Sequence, residues 1–197
     1  MSVDGVILAA GYSSRAGDFK PGLDLYGKTI LQRTIESMSE LCEHLIVVGG
    51  HQFEIIRNMV SNMPKVKVVK NEHVELGMFF SVKTGIAIVE ADRFFIVPGD
   101  QPAVRAETYK TLIGYNVDIA IPRYHGKKGH PVLFNSTLIP EILSWDDSEI
   151  LRNYIHSKDN VAIIDVDDPG IGLDVDTAED YRKIKEYYNN MLEKLRA

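Results

Sequence analysis

The 197-residue chain has little cysteine, little net positive charge and no long apolar run. A single cysteine, Cys42, excludes an internal disulfide and a multi-cysteine zinc site. Lys and Arg number 22 against 28 Asp and Glu, a net charge of −6. Non-specific nucleic-acid binding draws on a basic surface, and anionic membranes attract the same charge, so the balance argues against both as partners. It does not forbid a local basic pocket. No apolar run approaches the roughly 18 residues of a membrane-spanning helix, and the opening Met1-Ser2-Val3-Asp4-Gly5 carries no basic stretch. A soluble, cytoplasmic protein is the expectation. Repeats, low-complexity segments and Pro/Ser-rich linkers are also missing, so one domain over residues 1–197 is expected. What remains is ordinary for a globular chain: 45% hydrophobic and 25% charged residues.

Along the chain, apolar runs alternate with helical periodicity. Val3–Ala10, His44–Val48, Val66–Val69 and Phe94–Val97 read as strands. The near-continuous apolar character of the first suggests burial on both faces, as in a parallel sheet. Between them, Thr29–Cys42, His51–Met63 and Met78–Val89 place apolar residues at helical spacing. This β-α-β-α-β-α-β order predicts a mostly parallel sheet with helices on both sides. The second half is less regular. A helix over Ala106–Gly114, strands at Val117–Ile121, Pro131–Phe134 and Val161–Val166, and helical pieces from Ser136 to Ile155 are expected. Thr177–Leu195 reads as a long helix with Tyr181, Ile184, Tyr188, Met191 and Leu195 on one face. Thr177 and Asp180 resemble a capping box with Asp in the acidic position.

Ligands of open α/β sheets bind beyond the carboxyl ends of the strands, which directs attention to two loops. The first runs from Leu8-Ala9-Ala10-Gly11 through Ser13, Ser14, Arg15 and Gly17 to Lys20. Its glycines let backbone approach a ligand, its amides suit phosphate oxygens, and Arg15 and Lys20 add two cations. The spacing matches neither the P-loop nor the dinucleotide-binding glycine pattern. The alternative is a turn with incidental charges. The second loop is Pro98-Gly99-Asp100-Gln101-Pro102. A carboxylate just past a strand end suits Mg²⁺, which takes one or two carboxylates together with substrate phosphates; a lone Asp there also serves as a turn or helix cap.

Leu-Ala-Ala-Gly-x-Ser-x-Arg-x-Gly-x-x-Lys at Leu8–Lys20 resembles the signature of the nucleotidyltransferase family that includes molybdenum-cofactor cytidylyltransferases. Four further segments resemble that family in the same order. These are Asn71 with Gly77-Met78, Ser81 and Gly85; Pro98–Pro102; Gly126–Phe134 with its Gly129-His130-Pro131; and Leu173–Tyr181 with Asp174 and Asp176. The resemblance implies a Rossmann-like, nucleotide-diphospho-sugar transferase-type fold, a three-layer α/β/α arrangement. A nucleotide-binding half would span about 1–102 and an acceptor-binding half about 103–197. It implies transfer of a nucleoside monophosphate from an NTP to a phosphorylated small molecule, with release of pyrophosphate. In that reading Leu8–Gly11, Ser13, Ser14, Arg15 and Gly17 hold phosphates, and Arg15, Lys20 and Asp100 are the catalytic set. Asn71, Gly77 and Ser81 read the base, and Gly129, His130 and Pro131 face the acceptor. Asp100 with Asp174 or Asp176 binds Mg²⁺, and Asp176 is alternatively part of the helix cap.

Ala10 stands where guanylyl-transferring relatives usually have Gly, which favours CTP over GTP. Molybdopterin is the favoured acceptor, and a protein receiving the finished cofactor is a possible partner. Two features depart from the family pattern: Ala16 replaces a usual Met, and Trp145–Arg152 replaces a usual Gly-Asp-x-Gly-Ala-Arg. The donor end therefore matches better than the acceptor end. A sugar or polyol phosphate as acceptor, GTP as donor, and a non-catalytic nucleotide-binding protein are the competing readings. The joint presence of Arg15, Lys20, Asp100 and Asp176 speaks against the last.

Overall fold

The computed structural model describes residues 1–11 and 19–196. The apolar runs form eight strands: β1 (Val3–Ala9), β2 (Leu45–Gly49), β3 (Val66–Lys70), β4 (Arg93–Pro98), β5 (Ile119–Tyr124), β6 (Lys127–Lys128), β7 (Val132–Asn135) and β8 (Val161–Asp165). The helices are α1 (Ile30–Glu36), α2 (Phe53–Val60), α3 (Met78–Ile86), α4 (Ala106–Ile113), α5 (Ile139–Ser144), α6 (Leu151–His156) and α7 (Ala178–Arg196).

One sheet contains all eight strands in the order β3-β2-β1-β4-β7-β5-β6, with β8 on the other side of β5. β1, β2, β3 and β4 run parallel, as do β5 and β8. β7 enters antiparallel between β4 and β5, and β6 is the return arm of a short hairpin on β5. The sheet is thus mostly parallel, as the alternating pattern required, with its antiparallel insertion in the irregular second half.

Side chains alternate across the sheet with the two-residue period of a strand. Val3, Ile7 and Ala9 of β1 join a core with Leu31 and Ile35 of α1, Ile56 and Val60 of α2, and Tyr109 and Leu112 of α4. On the opposite face Val6 and the following Ala10 join Phe79, Val82 and Ile86 of α3, Ile142 of α5 and Tyr154 of α6. Helices therefore cover both faces, which is the three-layer arrangement. A third cluster seats Ile184 and Tyr188 of α7 against Leu25, Ile30 and Ala103.

Helix ends differ from the periodicity for local reasons. α1 begins where expected, at a capping box in which Thr29 and Gln32 satisfy each other's backbone amides. It stops at Glu36 rather than Cys42. Ser37 and Ser39 turn their hydroxyls back onto the carbonyls of Thr34 and Glu36, competing with the helix pattern. α7 starts at the expected box, with Asp180 N–H donating to Thr177 Oγ1 and Thr177 N–H donating to Asp180. The carboxylate of Asp4 is the one break in the apolar face of β1. It is buried and accepts from the backbone amides of His44, Glu90 and Ala91.

Candidate active site

The strand order reverses between β1 and β4, and the chain crosses to opposite faces of the sheet on either side of that point. Such a switch point opens a crevice at the carboxyl ends of the two strands. A cavity of about 370 Å³ lies there, bordered by Leu8, Ala9, Ala10 and Gly11 from the end of β1 and by Pro98, Gly99 and Asp100 from the end of β4. Lys20, Gly77, Ser81 and Asp176 reach it from elsewhere in the chain. Five residues expected to hold nucleotide along the first segment and two base-reading candidates thus meet at one place. Ser13, Ser14, Arg15 and Gly17 lie outside the described residues.

Charge is concentrated on the floor of this cavity. Lys20 opens a short 3₁₀ turn (Lys20–Gly22) and its ammonium sits 2.8 Å from Asp176 Oδ1. Burial pushes the Asp100 carboxyl up to about 6. The negative charge of Asp174 pushes the same way, while Lys20 opposes it. Asp174 is itself raised, by burial first and then by Asp176 and Asp180. The backbone explains the proximity: Val175 N–H donates to the Asp100 carbonyl, which lays the Asp174–Asp176 segment beside the end of β4. The side chains of the α7 cap are those of Thr177 and Asp180, and the Asp176 carboxylate pairs with Lys20 instead.

Among the described residues, no group of three or more His, Cys, Asp or Glu side chains stands close enough to hold a metal unaided. Two carboxylates with raised affinity for protons, opposed by one lysine already paired to a third, nevertheless form a donor set short of positive charge. That suits a hard divalent cation that completes its shell with phosphate oxygens.

The base-reading candidates divide. Gly77 has φ +87°, a conformation favouring glycine, and it leads into α3 beside both cavities. Ser81 borders the smaller cavity from the first turns of α3. Asn71 stands behind that wall. Its Nδ2 donates to Ser81 Oγ at 2.9 Å and its Oδ1 accepts from His73 N–H at 2.8 Å. The geometry therefore makes Asn71 the holder of Ser81, with its amide engaged by protein on both ends.

A second, larger cavity of about 960 Å³ shares Leu8, Gly77, Met78 and Pro98 with the first. Gly129, His130 and Asp174 line it, so the expected acceptor segment does face a cavity adjoining the phosphate-sized one. Pro131 is buried beside His130 at a cis peptide bond. The segment is held by the Pro169–Gly172 turn: His130 N–H donates to the Ile171 carbonyl, and a Cβ at Gly129 would fall 2.1 Å from that same oxygen. Only glycine fits that approach. Asp168, buried, fixes the turn by accepting from Gly170 N–H, Arg105 N–H and the Thr108 hydroxyl. His130 is half-buried, and burial pushes its imidazole down to about 4. It is neutral near pH 7.

The segment that departs from the family pattern forms the far wall. Ser148, Glu149, Ile150, Leu151 and Arg152 border the larger cavity. Lys83 of α3, almost wholly buried, donates to the Trp145 carbonyl and lies 2.5 Å from Asp147, pinning this wall to the helix that starts at Gly77. Sequence reasoning missed Lys83, Asp147, Gln101 and Asp168. A lysine at an inward position of an amphipathic helix was the one available signal. The lone Cys42 is buried in the core with its thiol pushed up to about 12, consistent with packing and no chemistry.

Comparison with known proteins agrees with this geometry. Residues 5–161 match the MobA-like NTP transferase domain family. A molybdenum cofactor cytidylyltransferase of Escherichia coli is 26% identical over 96% of this chain and 99% of its own length. A probable molybdenum cofactor guanylyltransferase of Natranaerobius thermophilus is 31% identical over 64% of this chain and 62% of its own length. A crystal structure of Rv0371c from Mycobacterium tuberculosis in complex with manganese has a TM-score of 0.78 and 28% identity, covering 94% of this chain and 99% of that one.

Proposed function

Because the chain belongs to the MobA-like NTP transferase family, we propose that it transfers CMP from CTP to the terminal phosphate of molybdopterin in a Mg²⁺-dependent reaction that releases pyrophosphate. The observation that carries this reading is the shared wall: a charge-floored cavity of nucleotide phosphate size opens into a larger one through Leu8, Gly77, Met78 and Pro98. Residues 1–102 take the donor and residues 103–197 most of the acceptor. The resemblance of the cytidylyltransferase relative, matched over 99% of its own length, supports cytosine, as does Ala10, a residue that borders the donor cavity.

In the reaction an acceptor phosphate oxygen attacks the α-phosphorus of CTP. The bond from that phosphorus to the bridging oxygen breaks, and pyrophosphate leaves with the electron pair. The attacking phosphate is already ionised near pH 7, so no general base is needed, and a neutral His130 fits a contact role only. Catalysis then rests on alignment and on charge neutralisation. Backbone amides from Ala10 onward, with Arg15, hold the β- and γ-phosphates. Lys20 neutralises charge growing on the α-phosphate and bridging oxygen, exchanging its contact with Asp176 for substrate. Asp100 and Asp174 would hold the metal, and Asp176 keeps Lys20 in reach. When bound, Mg²⁺ supplies charge neutralisation at the α-phosphate. Gly129 and His130 line the acceptor side with Pro131 buried next to them, and the product passes to whatever protein uses the cofactor. A cytoplasmic site of action fits a chain whose single cysteine can form no internal disulfide.

A pyrophosphate-release screen of CTP, GTP and ATP against molybdopterin and a panel of sugar and polyol phosphates tests the reading. Turnover with CTP and molybdopterin is expected. Turnover with GTP in place of CTP, or with a sugar phosphate in place of molybdopterin, overturns the corresponding half.

A further inference from the structure

The acids of the smaller cavity sit on two segments that repel each other: Asp174 raises the Asp100 carboxyl, and Asp176 raises that of Asp174. The bond from Val175 N–H to the Asp100 carbonyl, at 3.2 Å, is one restraint that opposes the repulsion. The third apolar cluster is another. Three of its buried members flank the charged groups: Val175 between Asp174 and Asp176, Ala103 three residues past Asp100, and Leu25 five residues past Lys20. From α7, Ile184 and Tyr188 complete that cluster. Tyr188 does more than pack. Its buried hydroxyl donates to the Pro102 carbonyl, two residues past Asp100. Its ring lies under the Arg33 guanidinium, 5.6 Å from the ring centre. Arg33 in turn donates to the carbonyls of Leu25 at 3.0 Å and Tyr26 at 2.6 Å, in the loop that follows Lys20. The neighbouring Tyr187 has a different contact: its hydroxyl accepts from Arg105 Nε at 3.1 Å. Arg105 also donates to the Asp167 carbonyl and, through its N–H, to Asp168, which fixes the turn behind Gly129 and His130.

We propose that Tyr188 is a positioning residue for the donor site. From α7 it holds the Asp100 loop and, through Arg33, the Lys20 loop against the Asp174–Asp176 segment. Its role for the reaction rests on the assignment of the smaller cavity to the nucleotide phosphates. Lys20 and the carboxylates are then assembled before nucleotide arrives, and no binding energy is spent on drawing repelling loops together. Burial pushes the Tyr188 phenol up to about 12, so its hydroxyl remains a donor near neutral pH. Removing only that hydroxyl keeps the ring under Arg33 and inside the cluster. It leaves the Pro102 carbonyl without its donor, and the repulsion between Asp100 and Asp174 then loosens the loop. Tyr187, one residue away on the same helix, braces the acceptor side, so the two tyrosines separate positioning of the donor floor from general support by α7.

The test compares wild type with Tyr188→Phe and Tyr187→Phe. The melting temperature of Tyr188→Phe is expected within about 5 °C of wild type. A larger fall overturns the proposal, since Tyr188 would then support the fold as a whole. The second measurement is hydrogen exchange of the Val175 amide in protein without nucleotide or metal. Tyr188→Phe is expected to speed it by about fivefold or more, through local opening of the floor, and Tyr187→Phe to leave it unchanged. Unchanged exchange in Tyr188→Phe overturns the proposal. The third is steady-state pyrophosphate release with CTP, Mg²⁺ and molybdopterin. Tyr188→Phe is expected to lower kcat by about tenfold, the scale of losing a group that orients a metal-binding carboxylate, with KM for the acceptor within about twofold. Tyr187→Phe should keep kcat within about twofold. Unchanged kcat in Tyr188→Phe, or equal losses in the two variants, overturns the proposal. If wild type turns over no acceptor, the proposed reaction fails separately, and the exchange of Val175 still decides whether Tyr188 holds the floor.

Discussion

The two adjoining cavities are built from different materials. The smaller takes its walls from strand-end backbone at Leu8–Gly11 and Pro98–Asp100 and its floor from Lys20, Asp100 and Asp176. The larger takes its walls from side chains, most of them apolar, on α3, on the hairpin around Gly129 and on the segment Ser148–Ile155. Backbone amides and a few charges recognise phosphate whatever is attached to it. Side-chain walls recognise one particular body and are free to change between relatives. With the smaller cavity taking the donor and the larger the acceptor, as proposed, a fixed donor mechanism joined to a variable acceptor pocket follows from that difference in construction. It also accounts for a family pattern that is closely kept at the first loop and broken at Trp145–Arg152.

The comparison breaks most visibly at Asp100. With Asp100→Ala, pyrophosphate release is expected to fall by about 100-fold or more, the scale of losing a preorganised electrostatic group, while the melting temperature holds or rises. Retained turnover would remove the carboxylate from the mechanism. Lys20→Ala is expected to lower kcat on a similar scale, with the loss in kcat exceeding any change in KM for CTP, because its charge is needed most in the transition state. The neighbouring acids separate by role: Asp174→Asn should weaken Mg²⁺ activation by about tenfold, and Asp176→Asn should lower kcat less than Lys20→Ala does. Equal effects on the Mg²⁺ dependence would assign the second metal ligand to both.

The donor side was the more legible in sequence for the same physical reason. Strands β1 and β4 are nearly continuous apolar runs, so their ends were visible, and ligands of parallel sheets gather at such ends. Gly11, Lys20 and Asp100 follow directly from that placement, whereas Gly77 and Ser81 come from the family resemblance. The family resemblance makes Asn71 a base-reading candidate together with Ser81, and their spacing says nothing about which of the two faces the cavity; the 2.9 Å bond between them puts Asn71 behind. The acceptor side depends on contacts distant in sequence. Lys83 meets Asp147 across 64 positions, and Ile171 meets Gly129 and His130 across about 40. No local period reports such contacts. The antiparallel entry of β7 between β4 and β5 is equally invisible to a pattern of alternating strands and helices.

The pinned wall offers a gentler probe of the same contrast. Lys83 is buried and donates to Trp145 and Asp147, whereas Asp147 is half-exposed. Lys83→Met frees the Trp145–Ile150 wall without touching the strand-end backbone of the smaller cavity. KM for the acceptor is expected to rise by about five- to tenfold, with KM for CTP unchanged, as loss of positioning for one substrate alone predicts. Asp147→Asn should show the same split at smaller size, since Lys83 keeps its bond to the Trp145 carbonyl. A rise in both KM values together would mean that the wall serves the donor as well, and the two cavities would then be one site.

The smallest effect expected is on stability, and it tests the charge economy of the floor directly. Burial and the charge of Asp174 raise the Asp100 carboxyl from 3.8 to about 6. The folded protein therefore holds that proton more tightly than the unfolded chain does. Its stabilising contribution is complete below pH 4 and is lost as pH rises through about 6. Without added metal, Asp100→Asn removes this loss, so the variant should melt above wild type at pH 7.5 by a few degrees and the gap should close toward pH 4. Mg²⁺ reverses the sign for wild type. A cation binds the ionised carboxylate and competes with the proton, so the melting-temperature increase on adding Mg²⁺ should be full at pH 7.5 and shrink below pH 6. A variant with no pH-dependent gap would show that Asp100 is ionised and relaxed without metal. The strain on the donor floor would then have to reside in Asp174, whose carboxyl, alone with that of Asp100 among the described residues there, is raised.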